Sequence, residues 1–133
     1  MSLLDLVGAL TAGSARAVVV TDGDLTPPGP RILYVNKAFE QMSGYDRAEL
    51  LGRSPRMLQG EKTSLASRRQ LARALRKGQR AKIVLVNYRK DGEAYRCEIE
   101  VFPVLDASGV LVNAVALERE LPRARGRRGQ KAV

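Results

Sequence analysis

Residues 95–105, YRCEIEVFPVL, alternate with a period of two. Tyr95, Cys97, Ile99 and Val101 fall on one side, and Arg96, Glu98 and Glu100 on the other. That spacing fits a strand with one face in a core and one in water, and it does not fit a helix. Lys90-Asp91-Gly92 just before it is a hairpin turn, so Lys82–Arg89 is expected to be its antiparallel partner. Asp106–Gly109 is a further turn, and Val110–Glu120 a last strand. The final third of the chain is therefore a meander, which must lay its apolar face on something else.

The first two-thirds supplies the cover. Ala17–Thr21 and Arg31–Val35 read as two short strands around Asp22–Pro30, a loop dense in turn residues. Asn36 is placed to cap a helix, KAFEQM, that stops at Gly44. Asp46 and Glu49 form a capping-box pattern before Gly52. Pro55 permits a short turn, and Thr63–Lys77 reads as a longer helix with Leu65, Ala72 and Leu75 on one face, Leu71 beside them and five basic groups, Arg68, Arg69, Arg73, Arg76 and Lys77. Residues 2–12 place Leu3, Leu6, Val7 and Leu10 at helical spacing behind Ser2, a capping residue. The expected fold is α+β: a five-stranded, mostly antiparallel sheet with short helices packed on one face and a flanking N-terminal helix. The expected division is 1–14 for that helix, 15–121 for the domain and 122–133 for a basic, disordered tail.

Composition narrows the chemistry. The 133 residues suit one domain. The net charge is +9, but five of the basic groups lie in the last twelve residues, leaving +4 on residues 1–121. Nucleic acid is therefore not an expected partner, since no aromatic residue accompanies the basic tail. The absence of histidine removes His-ligated haem, His metal sites and His-dependent triads. Cys97 is the only cysteine, so neither an intrachain disulfide nor a cysteine zinc cluster forms. No metal site and no catalytic residue are expected. No run approaches the ~18 apolar residues of a membrane span, and residues 1–12 lack the basic start of a secretory signal. A cytoplasmic, reducing location is the expectation.

The element order, with ILYVNKAFEQMSGY (32–45), LLGRSPRMLQG (50–60), VNYRKDGEAYRCEIEVFPV (86–104) and NAVALEREL (113–121), resembles the PAS family of sensor domains. More narrowly it is similar to the LOV branch, the flavin-binding blue-light receptors. The resemblance implies a ligand pocket between the sheet and the short helices, and a flavin nucleotide, FMN, as the cofactor. It matches Arg56 to a phosphate-binding arginine, Gln59 to a contact with the ribityl and phosphate region, and Asn87 to an asparagine reading the flavin ring edge. Cys97 replaces a second such asparagine, and Glu118 replaces the glutamine that senses flavin state. Ala72 replaces a second phosphate-binding arginine, and Arg69 and Arg73 are the helical neighbours expected to reach in its place. The family pattern G-R-N-C-R-F-L-Q-G reads GRSPRMLQG here, so Pro55 stands at the reactive cysteine and Ser54 at its neighbour. The resemblance thus implies no light-driven cysteinyl adduct, and flavin binding weaker than in intact LOV domains.

The residues also admit plainer readings. Arg56 and Gln59 either bind phosphate or hold a surface turn. Asn87 either contacts a ligand or fixes the hairpin. Cys97 reads as a small buried hydrophobe. Glu118 reads as a solvated strand-end residue paired with Arg89 or Arg96, although strand parity aims Asn87, Glu118, Ala114 and Ala116 at the interior. The basic helix reads as a solvated face. The resulting expectation is a signalling sensor or interaction domain that acts through a homodimer or a partner protein. The alternatives are a flavin-nucleotide redox or light sensor and a ligand-free dimerisation module. The N-terminal stripe is expected to cover the outer sheet face that carries Val84, Val86 and Phe102.

Overall fold

In the computed structural model, which describes residues 2–123, the sheet is built from β1 (Ala17–Asp22), β2 (Ile32–Val35), β3 (Ala81–Tyr88), β4 (Ala94–Leu105) and β5 (Leu111–Glu120). Their spatial order is β2-β1-β5-β4-β3, with every neighbouring pair antiparallel. The alternation of residues 95–105 is the inner face of β4, and Ile83, Leu85 and Asn87 of β3 and Ala114, Ala116 and Glu118 of β5 share it. Positions 124–133, most of the expected basic tail, lie outside the described residues.

Between β2 at one edge and β3 at the other the chain crosses the inner face as α2 (Lys37–Ser43), α3 (Arg47–Leu50), a 3-10 turn (Pro55–Leu58) and α4 (Leu65–Arg76). Each start is set locally. The Asn36 side chain accepts from Phe39 N, Ser54 from Arg56 N and Ser64 from Ser67 N, while Asp46 and Glu49 close a capping box. Gly44 ends α2 with a left-handed φ of 79°, which a side chain would strain. Gly60 is demanded by space: a Cβ there would lie 2.5 Å from the Tyr88 ring, whose hydroxyl accepts from Lys62 N. The helical layer buries Phe39, Leu50, Leu58 and Leu75 against Val19, Ile83, Leu85, Ile99 and Val101. Full burial of such side chains contributes roughly 1.5–3 kcal/mol each.

The outer face carries a second, smaller cluster. α1 (Leu3–Thr11) starts on a capping box between Ser2 and Asp5, and lays Leu3, Leu4 and Val7 on Val18, Val20, Tyr34, Val115 and Leu117. This covering of both sides explains why Ala17–Val20 of β1 is an unbroken apolar, buried run instead of alternating. The expected stripe is corrected in two respects. Leu6 and Leu10 are exposed, because the helix turns its Leu3-Leu4-Val7-Thr11 edge to the sheet. The helix also covers β1, β2 and β5, leaving Val84 on β3 exposed. Thr11 fixes its end through a 3.2 Å bond to the Tyr34 hydroxyl.

Asn36 ties these layers together. Its Oδ1 accepts from Val18 N at 2.9 Å and Phe39 N at 3.1 Å, and its Nδ2 donates to Thr11 O at 3.0 Å and Arg16 O at 2.9 Å. α4 departs from expectation at its start. Leu65 is exposed, and contact with the core comes from Leu71, Ala74 and Leu75.

Candidate functional site

The inner sheet face and the helical layer do not close completely on one another. Between them lies a cavity of about 170 Å³, where one water takes ~10–15 Å³ on the same measure. Small side chains make the space: Ala114 and Ala116 on β5 face Ala72 on α4 across it. Val19, Leu58, Leu71, Leu75, Leu85, Ile99 and Val101 give it apolar walls.

Its polar groups divide into two sets. The rim carries Arg56, from the 3-10 turn, and Arg68 and Arg76, from α4, all exposed, with the half-buried Gln59 at the end of the turn. The buried inner wall carries Asn87 and Glu118, 4% and 5% exposed, from β3 and β5. Four of the five residues expected at a ligand thus come together. Cys97 is the exception: it is fully buried, does not line the cavity, and stands behind Glu118 with its Sγ 3.3 Å from Glu118 Oε1. Pro55 is part of the wall beside Arg56.

Arg56 has a structural duty as well. Its Nε donates to Gly29 O at 2.8 Å and its Nη2 to Leu25 O at 2.9 Å, so it gathers the 22–30 loop over the cavity. The helical neighbours Arg69 and Arg73 do not reach the cavity; Arg68 and Arg76, one residue before the first and three after the second, do. The sequence signal for them was the basic helix itself. Its azimuth, set by the packing of Leu71 and Leu75 on the core and the burial of Ala74, decides which of its arginines face inward.

Glu118 is buried and has no ion-pair partner among the described residues, which corrects the strand-end reading. Arg89 bonds Met42 O, Glu93 and Glu120 instead, and Arg96 bonds Pro122 O. The physical reason is parity: Glu118 points inward, and the exposed acid at the strand's end is Glu120. Burial pushes the Glu118 carboxyl from the usual carboxylate range up to about 7, while the Cys97 bond pulls the other way. Burial, and then the nearby Glu118, hold the Cys97 thiol far above its ordinary value, so it stays a thiol. Tyr95 beside them is also raised, by burial first; its hydroxyl is buried with no hydrogen-bond partner among the described residues, and the Arg89 guanidinium lies 4.4 Å from its ring centre.

The donor set suits a flavin nucleotide. Apolar walls match the chemistry of a flat ring, an amide and a carboxyl that of a polar ring edge, and guanidinium groups that of a phosphate. Among the described residues no cluster of three His, Cys, Asp or Glu is placed to hold a metal, and no helix is long and apolar enough to cross a membrane.

Comparison with known proteins places these features in context. A family described as PAS domain matches residues 16–121. Over 87 residues the chain is 39% identical to blue-light-activated histidine kinase 2 of Erythrobacter litoralis, covering 65% of this chain and 25% of that protein. The chain spans a quarter or less of the length of the first four curated relatives it matches. Among solved structures, a light-oxygen-voltage (LOV) domain from work on a flavin analogue superposes with a TM-score of 0.78 at 28% identity, covering 96% of this chain and 93% of that one. The LOV domain of the Erythrobacter litoralis EL346 blue-light activated histidine kinase gives 0.73 at 31% identity, covering 81% and 97%.

Proposed function

The chain belongs to the PAS domain family, with LOV domains as its sequence and structural neighbours, and on that premise we propose that this sensor domain holds a flavin nucleotide and responds without a cysteinyl adduct. The observation that carries the proposal is the division of one apolar cavity into a guanidinium rim and a buried polar wall. Arg56, Arg68 and Arg76 hold the phosphate, with Gln59 beside it, while Asn87 and Glu118 meet the ring edge. A bound flavin supplies blue-light absorption and reversible electron uptake. Residues 15–121 form the sensor unit, flanked by the segment 1–14 that carries α1 (Leu3–Thr11).

The chain's own residues remove the thiol chemistry. Pro55 in the cavity wall has no nucleophile, and Cys97 is shielded behind Glu118 as a neutral thiol. Relative to an intact LOV site, two amide positions carry other groups: a carboxyl, Glu118, in the inner wall and a thiol, Cys97, behind it. Each lost hydrogen bond costs ~0.5–1.5 kcal/mol, so binding is weaker than in such a site.

The test is a titration of the full chain with FMN and with riboflavin, followed by blue light. FMN is expected to bind more tightly than riboflavin, and illumination to give no reversible bleaching of the bound dye. Absence of any flavin-dependent quenching or thermal shift at millimolar dye overturns the reading. Reversible bleaching with a covalent flavin–protein bond overturns the photochemical part.

A second reading concerns output. Leu6 and Leu10, 45% and 73% exposed, form an apolar pair one turn apart on α1. We propose that this edge meets the same edge of a second copy, giving a twofold homodimer through which the domain signals to a partner protein. Leu6→Gln with Leu10→Gln leaves the Val7 side on the sheet. Light scattering of that double variant is expected to give monomer mass where the parent gives dimer. A parent that is monomeric at high concentration overturns it.

A further inference from the structure

Among the described residues Glu118 is the one acidic side chain that lines the cavity, and it also lines a second cleft with Ala15, Ala17, Ala38, Met42, Arg119 and Glu120. Ala15, Arg119 and Glu120 are exposed, so this cleft reaches solvent. Glu118 thus borders both the ligand cavity and a cleft open to water. Its Oε1 accepts from the Cys97 thiol, its only hydrogen-bond donor among the described residues.

The groups around it leave it free of ion pairing. β4 presents the thiol of Cys97 and the phenol of Tyr95, both held in their neutral forms. β3 presents the neutral Asn87, β1 presents Ala17, and α2 presents Ala38 and Met42. On β5 itself, Arg119 is engaged by Glu98 and Glu120 by Arg89. The cavity's guanidinium groups, Arg56, Arg68 and Arg76, belong to its exposed rim.

We propose that Glu118 is the specificity-determining residue of the cavity: protonated, it donates a hydrogen bond to an acceptor on the edge of a heteroaromatic ligand, and it exchanges that proton with solvent through the cleft behind it. The proposal rests on the flavin reading for its ligand and goes beyond it in naming what the inner wall selects. An ionised carboxylate only accepts hydrogen bonds, whereas a carboxylic acid donates one and still accepts. With Oε1 occupied by the thiol, the other oxygen is left to carry the proton. The ligand edge that fits has carbonyl or ring-nitrogen acceptors, and the pyrimidine side of a flavin offers two carbonyls and one N–H. Because burial sets the carboxyl near pH 7, both of its forms are populated around neutrality.

Riboflavin is the probe, because the phosphate of FMN itself titrates near pH 6. In the full chain, its affinity is expected to fall about tenfold between pH 6 and pH 8, as binding is restricted to the protonated form. Glu118→Gln, which donates at every pH, is expected to give a flat profile. The wild-type profile needs no variant, and affinity that is flat in wild type, or identical in both proteins, overturns the proposal while leaving the flavin reading intact. Infrared spectroscopy of the protein without ligand is the independent arm. A protonated-carboxyl C=O band present at pH 6, diminished at pH 8 and missing from Glu118→Gln supports the proton site; its absence overturns it. If riboflavin fails to bind at any pH, the flavin reading falls and the infrared band alone decides whether Glu118 exchanges the proton.

Discussion

The rim of the cavity and its inner wall are built from different material. The rim takes arginines from a 3-10 turn and a helix, and they are exposed, ionised and screened by water and salt. The inner wall takes Asn87 and Glu118 from two strands, backed by Cys97 and Tyr95, all nearly sealed from solvent. A charge on the rim is worth little and its neighbours substitute for it. A single group on the inner wall shifts its own protonation and that of the groups behind it. Changes at the rim therefore tune affinity, while changes at the inner wall alter what the domain is chemically able to do.

The largest test of that contrast is Glu118→Gln. Folding raises the pKa of this acid, so the folded state binds the proton more tightly than the unfolded chain. Its contribution to stability is full below about pH 4.5, declines as pH rises to about 7, and is flat above. Removing the charge should leave the variant more stable than wild type at pH 8 by on the order of 3 kcal/mol, with the difference vanishing near pH 4. Urea unfolding at pH 4.5, 6 and 8 measures this. A constant offset at all three would break the contrast, because burial would then carry no electrostatic cost.

Arg89 braces the inner wall from behind, over the Tyr95 ring, with bonds to Met42 O, Glu93 and Glu120. Its guanidinium is mostly covered while both carboxylates are half-exposed, so Arg89→Ala is expected to cost about 2 kcal/mol in urea unfolding. At the rim, Arg56→Met loses two bonds to loop carbonyls that water replaces in part. About 1 kcal/mol is expected, with faster proteolysis in the 24–30 loop. The smallest stability effect belongs to Arg68→Ala with Arg76→Ala, within about 0.5 kcal/mol of the parent. The same double variant, which keeps Arg56, should reduce the preference for FMN over riboflavin and its dependence on salt. If it does not, the rim is not the phosphate end.

What the sequence made legible follows the same division. Strand faces were readable because backbone geometry fixes the period: Ile83, Leu85 and Asn87, or Ala114, Ala116 and Glu118, share a face whatever packs on them. Helix starts at Ser2, Asn36 and Asp46 were readable because their caps are local. Helix azimuth was not, because tertiary contact decides it. That is why Leu65 is exposed, why Arg68 and Arg76 replace Arg69 and Arg73, and why Leu4 and Thr11 serve α1 where Leu6 and Leu10 were expected. Glu118 was assigned to the inner face by parity but to solvent by residue type. Position prevailed, since nothing at that place in β5 lets the side chain escape. The partner of Glu118 was hidden because Cys97, two residues short of its cross-strand neighbour Ile99, meets it on a diagonal.

Asn36 announced itself only as a helix cap, yet its amide spends two acceptor and two donor positions on Val18, Phe39, Thr11 and Arg16. Aspartate would accept from the same two N–H groups and donate nothing to the two carbonyls. Serine is too short to span all four partners, and glutamine carries its amide one methylene too far. Position 36 thus has an alphabet of one letter. While neighbouring surface positions can drift, the registration of the N-terminal helix on the sheet, and of the sheet on the layer that roofs the cavity, is spelled by that single character.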